Sequence, residues 1–156
     1  MDIFITSGKG QGLTELSAFD NALFDAGIAN YNLIRLSSVV PTGCKIFESK
    51  VEKNDIEIGY RLYVVLASMC TSEIGKEIWA GVGWVQKADG SGVFIEHEGY
   101  SEQEVANLIK KSLESMKSYR KSEEFGEIKY KIESAKCIDK PVSVIVAAVF
   151  KSKGWD

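Results

Sequence analysis

The stretch NLIRLSSVVPTG, Asn32 to Gly43, sets two serines side by side in an apolar run that stops at Pro41 and Gly43. Two hydroxyls side by side in the middle of a strand-like run are the first candidates for chemistry. A serine pair alone is weak ground, since one arises by chance in many chains of this length. The second constellation is FIEHEG, Phe94 to Gly99. On a strand, Glu96 and Glu98 at i and i+2 share one face, and His97 points to the other. A carboxyl beside Phe94 or Ile95, shielded from water, can hold a proton and act as a general acid. Spacing alone favours the plainer reading, two acids at the solvated end of a hairpin. His97 is the one histidine, so a serine-histidine-acid triad would need it as base. Its neighbouring glutamates lie on the wrong face to orient it.

Composition narrows the classes. A chain of 156 residues with 45% hydrophobic and 26% charged residues is expected to fold as a single domain, residues 1–156, able to bury a core without metal or disulfide staples. The net charge of −3, without a long basic run, argues against nucleic acid as a partner. Cys44, Cys70 and Cys137 are odd in number and widely spaced, with no CxxC pair. No disulfide framework or metal site is indicated, and a reducing cytoplasmic location is expected. MDIFITSGKG lacks the features of a signal peptide. The most apolar run, VSVIVAAVF from Val142 to Phe150, is too short to cross a membrane as a helix.

The elements that must position these residues follow from periodicity. Ile3 to Thr6 predicts a short strand, and the three glycines of SGKGQG, Ser7 to Gly12, predict a turn-rich loop; neither GxGxxG nor GxxxxGK[ST] is present, so phosphate binding is not signalled. Leu16, Phe19, Leu23 and Ala26 stand at helical spacing between Thr14, a plausible N-cap, and Gly27, placed to end the helix. Asp20 falls at the border of that apolar stripe, where its carboxylate could face a crevice. Tyr31 to Val40 and Lys45 to Val51 predict strands, KNDIE (Lys53 to Glu57) a polar loop, and Tyr60 to Met69 a strand buried on both faces. Lys76–Lys87 and Gly92–Glu98 flank Asp89-Gly90, a strong hairpin signal. Ser101 with Glu104 has capping-box spacing before a helix to about Arg120, with Val105, Leu108, Ile109, Leu113 and Met116 on one face. Glu127 to Ala135 alternates as a strand wet on one face, and Val142 to Phe150 closes the chain as an apolar strand. Helices are few and βαβα alternation is absent, so the pattern predicts an α+β layered sandwich.

Taken together, Ala18 to Pro41 (AFDNALFDAGIANYNLIRLSSVVP), Phe94 to Gly99 and the hairpin run TSEIGKEIWAGVGWV closely resemble the pyruvoyl-dependent arginine decarboxylases. The likeness spans Ile3 to Phe150. The charged, proline-free segment Phe47 to Tyr60 departs from relatives that often carry proline there. The resemblance implies a four-layer αββα sandwich of mostly antiparallel sheets with two main helices. It further implies self-cleavage between Ser37 and Ser38 into a small β chain (1–37) and a larger α chain (38–156), whose first residue, Ser38, becomes a covalent pyruvoyl group. No metal and no PLP would be needed. The pyruvoyl ketone would form a Schiff base with arginine and draw electrons as carbon dioxide leaves, giving agmatine.

The same resemblance gives roles to single residues. Glu96 corresponds to the proton donor, which requires a protonated carboxyl and so a shielded site. Asn32 corresponds to the asparagine whose amide would polarise the Ser37 carbonyl, although an asparagine capping a turn fits the same position. Asp20 corresponds to the carboxylate that meets the guanidinium. Leu16 and Tyr31 either line that pocket or belong to the core. The family's assembly implies a homo-oligomer, a trimer of cleaved protomers, with sites between neighbours. Alternatives are the same chemistry on another amino acid, or a non-cleaving, non-catalytic oligomeric relative.

Overall fold

The helical spacing near the N-terminus is realised as α1, Glu15–Ala26, in a computed structural model that describes residues 1–52 and 54–156. The Thr14 hydroxyl accepts from the Ser17 N–H at 3.0 Å and the Ser17 hydroxyl accepts from the Thr14 N–H at 3.0 Å, so two donors at the helix start are satisfied reciprocally. Gly27, at φ 81°, ends the helix in the left-handed conformation. The face α1 buries matches the expected one at Leu23 and Ala26 but is shifted at Leu16 and Phe19. Ala18, Ala22, Leu23 and Ala26 are buried, Phe19 is only half-buried, and Leu16 is 77% exposed.

The cause lies in β1, Asp2–Gln11. The expected loop from Ser7 to Gly12 is instead largely strand, because β9, Val142–Lys153, pairs antiparallel with it from Phe4↔Val149 to Gln11↔Val142. A full ladder of partners outweighs the local weakness of glycine in a strand. Gly8 and Gly10 mark where α1 crosses β1. A Cβ on Gly10 would stand 2.6 Å from the Ala22 nitrogen, and one on Gly8 would strike the Ala22 carbonyl oxygen. Alanines against glycines bring helix and sheet close, and the larger Leu16 is left outside. Gly8→Ala should therefore lower stability by about 1–3 kcal/mol through overpacking, read as a drop in Tm. Gly126→Ala, whose Cβ would have its nearest neighbour at 3.6 Å, serves as the neutral comparison.

The remaining strands are β2 (Asn32–Arg35), β3 (Val39–Val40), β4 (Lys45–Glu48), β5 (Arg61–Thr71), β6 (Glu77–Gln86), β7 (Gly92–Gly99) and β8 (Lys129–Lys136), with α2 at Glu102–Ser118 before β8. One sheet has the order β2-β5-β9-β1-β4 and the other β3-β7-β6-β8. Among the described residues, only β1/β4 and β2/β5 run parallel. Ile3, Ile5, Val65 and Val144 from the first sheet meet Ile78, Val82, Trp84 and Phe94 from the second in the central core. α1 covers the outer face of the first sheet through Ala22 and Leu23 with Leu62, Val64 and Ile145. α2 covers the second through Val105, Ile109 and Leu113 with Val85 and Val93. The expected αββα sandwich is therefore present.

The Asp89-Gly90 turn joins β6 to β7 as expected, with Gly90 at φ 85° and the Asp89 carboxylate accepting from the Ser91 N–H at 2.9 Å. At the start of α2 the capping box is half made. Ser101 accepts from the Glu104 N–H, but the Glu104 carboxylate accepts from the Tyr100 N–H. Of the KNDIE segment, Lys53 lies outside the described residues. Among the described residues no helix is long and apolar enough to cross a membrane, and no group of three or more His, Cys, Asp or Glu is placed to hold a metal ion.

Candidate active site

The strand expected from Tyr31 to Val40 is broken at the serine pair. β2 ends at Arg35 in the first sheet, and β3 begins at Val39 in the second. Two backbone hydrogen bonds fix the crossing: the Leu36 N–H donates to the Val64 carbonyl of β5, and the Phe94 N–H of β7 donates to the Ser38 carbonyl, both at 2.8 Å. Periodicity could not reveal this, because residues on both sides of the break are equally suited to strands. The peptide between Ser37 and Ser38 thus spans the gap between two sheets, tethered at each end.

Ser38 pays for that crossing with its backbone. Its φ is 72°, left-handed for a residue with a Cβ, which costs about 1–2 kcal/mol. Such strain is held by the two tethers and is free to relax once the chain is cut. Ser37 is exposed and Ser38 half-buried.

The Ser38 hydroxyl donates to Glu96 Oε2 at 3.2 Å. Glu96 reaches it because residues alternate along β7. Phe94, fully buried, lies against Phe150 at 5.9 Å and Trp84 at 6.3 Å between ring centroids. Glu96 and Glu98 follow on the same side, where the sandwich opens to solvent. Glu98 Oε1 accepts from the Ser68 N–H of β5 at 3.4 Å, which shows that this face looks toward the opposing sheet. His97 points the other way, its Nε2 2.7 Å from the Ser112 hydroxyl of α2. The structure thus keeps His97 away from the serines, as the alternation predicts.

The other sequence-derived candidates are not gathered here in the single chain. The Asn32 amide Nδ2 donates to the Gly59 carbonyl at 2.7 Å, and that carbonyl also accepts from Trp155 Nε1 at 2.9 Å. The tryptophan was not among the sequence candidates; its position just after the last strand was the available signal. Asp20 is exposed on α1, on the same helical face as Leu16. The Cys70 thiol, 3.7 Å from the Glu15 carbonyl, places the first turn of α1, with Leu16, against the far end of β5. A cleft of about 390 Å³ lined by Lys9, Glu77, Ser134 and Lys136 lies on β1, β6 and β8, away from Ser38 and Glu96.

Tyr31 is half-buried among the residues under α1, and its hydroxyl donates to Glu57 Oε2 at 2.7 Å. Burial, then the hydrogen bond to Glu57 and its charge, push the phenol up to about 12 from 10.0. A raised folded value means that the stabilisation is complete below the ordinary value and is lost as pH rises through the window from 10 to 12. Tyr31→Phe should therefore lose less stability than the parent across that window, measured as denaturation midpoints of the two proteins.

Chemically, the arrangement presents a strained serine beside a carboxyl group, at a peptide held from both sides. The family profile described as pyruvoyl-dependent arginine decarboxylase (PvlArgDC) matches residues 2–154. The pyruvoyl-dependent arginine decarboxylase of Thermococcus kodakarensis is 34% identical over 148 residues, 94% of this chain and 92% of that protein. That of Pyrococcus abyssi is 36% identical over 146 residues, 92% and 90% of the two chains. Pyruvoyl-dependent arginine decarboxylase 1 of Archaeoglobus fulgidus is 36% identical over 106 residues, 67% and 68% of the two chains.

Proposed function

The chain belongs to the pyruvoyl-dependent arginine decarboxylase family, and on that footing we propose that it cleaves itself between Ser37 and Ser38 and then decarboxylates L-arginine to agmatine and carbon dioxide. The observation that carries the reading is the left-handed Ser38, tethered between two sheets with its hydroxyl 3.2 Å from Glu96.

The Ser38 oxygen attacks the Ser37 carbonyl carbon, the bond to the Ser38 nitrogen breaks, and an ester replaces the amide. Loss of the Ser38 α-proton expels the ester oxygen with Ser37 as a free carboxylate. The dehydroalanine left at position 38 takes up water and releases ammonia, leaving a pyruvoyl group. The residues present suit that group: a serine whose Cα and Cβ become the pyruvoyl carbons, its oxygen departing with Ser37, and a neighbouring carboxyl on Glu96. Once formed, the pyruvoyl ketone supplies the electron sink for decarboxylation.

The chain's own residues do the rest. Glu96 donates a proton to the substrate Cα, from a carboxyl already within hydrogen-bond distance of the Ser38 hydroxyl. The Asn32 amide, at the opposite end of β2 from the scissile peptide, steadies the oxygen of the attacked Ser37 carbonyl of a neighbouring protomer. Asp20 takes the guanidinium with its planar carboxylate. Leu16, on the same exposed face, and Tyr31 flank that pocket. Because Asp20 and Leu16 face outward, we assign a homotrimer of cleaved protomers in which α1 of one chain completes the site of its neighbour. The uncut chain is then a zymogen. A cytoplasmic location accords with three free thiols, and the product suits polyamine synthesis.

Intact mass under denaturing conditions tests the reading. Two chains of 37 and 119 residues (156 minus 37), the larger carrying the serine-to-pyruvoyl mass change, together with agmatine formation, are expected. A single unmodified chain would make this a non-catalytic relative. A split chain that leaves arginine untouched would move the substrate to another amino acid.

A further inference from the structure

β2 pairs with β5 only from Asn32↔Arg61 to Arg35↔Val64, after which the chain leaves for the other sheet. From Val65 to Thr71, β5 therefore has no strand on that side among the described residues. The result is an edge of β5 left without a strand neighbour, with Ser38 and Glu96 near one end and Cys70 against the first turn of α1 at the other. Glu98 stands halfway along it, its Oε1 3.4 Å from the Ser68 N–H. No lysine or arginine among the described residues pairs with Glu98.

Two residues along a strand measure about 6.7 Å, close to the reach of an arginine side chain from Cα to guanidinium. A substrate whose Cα lies beside Ser38 and Glu96, and whose side chain follows that edge, brings its guanidinium to Glu98. We propose that Glu98 is a specificity-determining residue: a carboxylate on the same strand as the proton donor that binds the substrate guanidinium, in addition to Asp20. The assignment rests on the decarboxylase reading above. It gives one strand both ends of the substrate, with the alternation of β7 setting the distance between them.

Glu98→Gln is the informative substitution, because its amide oxygen still accepts from the Ser68 N–H while the charge is lost. A purely structural Glu98 would leave substrate binding unchanged. With cleavage of both proteins checked by intact mass, Glu98→Gln should raise KM for arginine about 10- to 100-fold with kcat nearly unchanged. It should weaken agmatine binding, measured by calorimetry, by a similar factor, and reduce discrimination against citrulline, the uncharged isostere. KM and agmatine affinity both within twofold of the parent would overturn the role of Glu98, as would a fall in kcat at constant KM. A parent protein that neither splits nor consumes arginine would instead overturn the decarboxylase reading, and this assignment with it.

Discussion

Ser38→Ala is expected to give one uncut chain of 156 residues with no measurable decarboxylation of arginine. The substitution removes the only oxygen that can both attack the Ser37 carbonyl and leave the pyruvoyl precursor at position 38. Its structural cost is small, because alanine inherits the same left-handed backbone and loses one hydrogen bond, to Glu96. The fold should survive, checked by circular dichroism and Tm. Ser37→Ala separates the two hydroxyls. The group attacked at position 37 is a backbone carbonyl, so this variant should still split. Cleavage of Ser38→Ala, or failure of Ser37→Ala alone, would place the nucleophile on the wrong serine.

Glu96→Gln is expected to split but to lose about 10²- to 10⁴-fold in kcat, the usual size of a general acid's contribution. The glutamine oxygen still accepts from the Ser38 hydroxyl, so the geometry around the scissile peptide is kept. What disappears is a proton that can be delivered to the substrate Cα. KM should change little, which distinguishes Glu96 from Glu98, two residues away. Agmatine formation by protein of verified intact mass measures it. An unchanged kcat would move the proton donor to another group, and Glu98, on the same face of β7, would be the first to test.

The two largest effects thus fall on residues separated by 58 positions in sequence, and what joins them is topology. Ser37, Ser38 and Glu96 were each identifiable from the chain: the serines by their adjacency, the glutamate by its place in FIEHEG, and all three by resemblance to a family. Their contact was not. It exists because β2 and β3, read as one strand, belong to different sheets, so the link between them passes β7.

Local signals held wherever structure is settled by near neighbours. Thr14 and Gly27 bound α1, Asp89-Gly90 turns the hairpin, and the alternation of β7 puts His97 opposite Glu96, because caps, turns and strand faces depend on a few adjacent residues. The sequence alone therefore determined the two helices, the α+β class and the residues that could do chemistry. Tertiary structure decided what depends on distant partners. β9 made a strand of the glycine-rich Ser7–Gly12 segment, close contact with β1 turned the alanine face of α1 inward and Leu16 outward, and hydrogen bonds to Val64 and Phe94 broke one predicted strand at Ser38. Each of these is a competition between local preference and long-range pairing, and a full ladder or a close-packed face outweighs the fraction of a kcal/mol by which a residue prefers one local conformation.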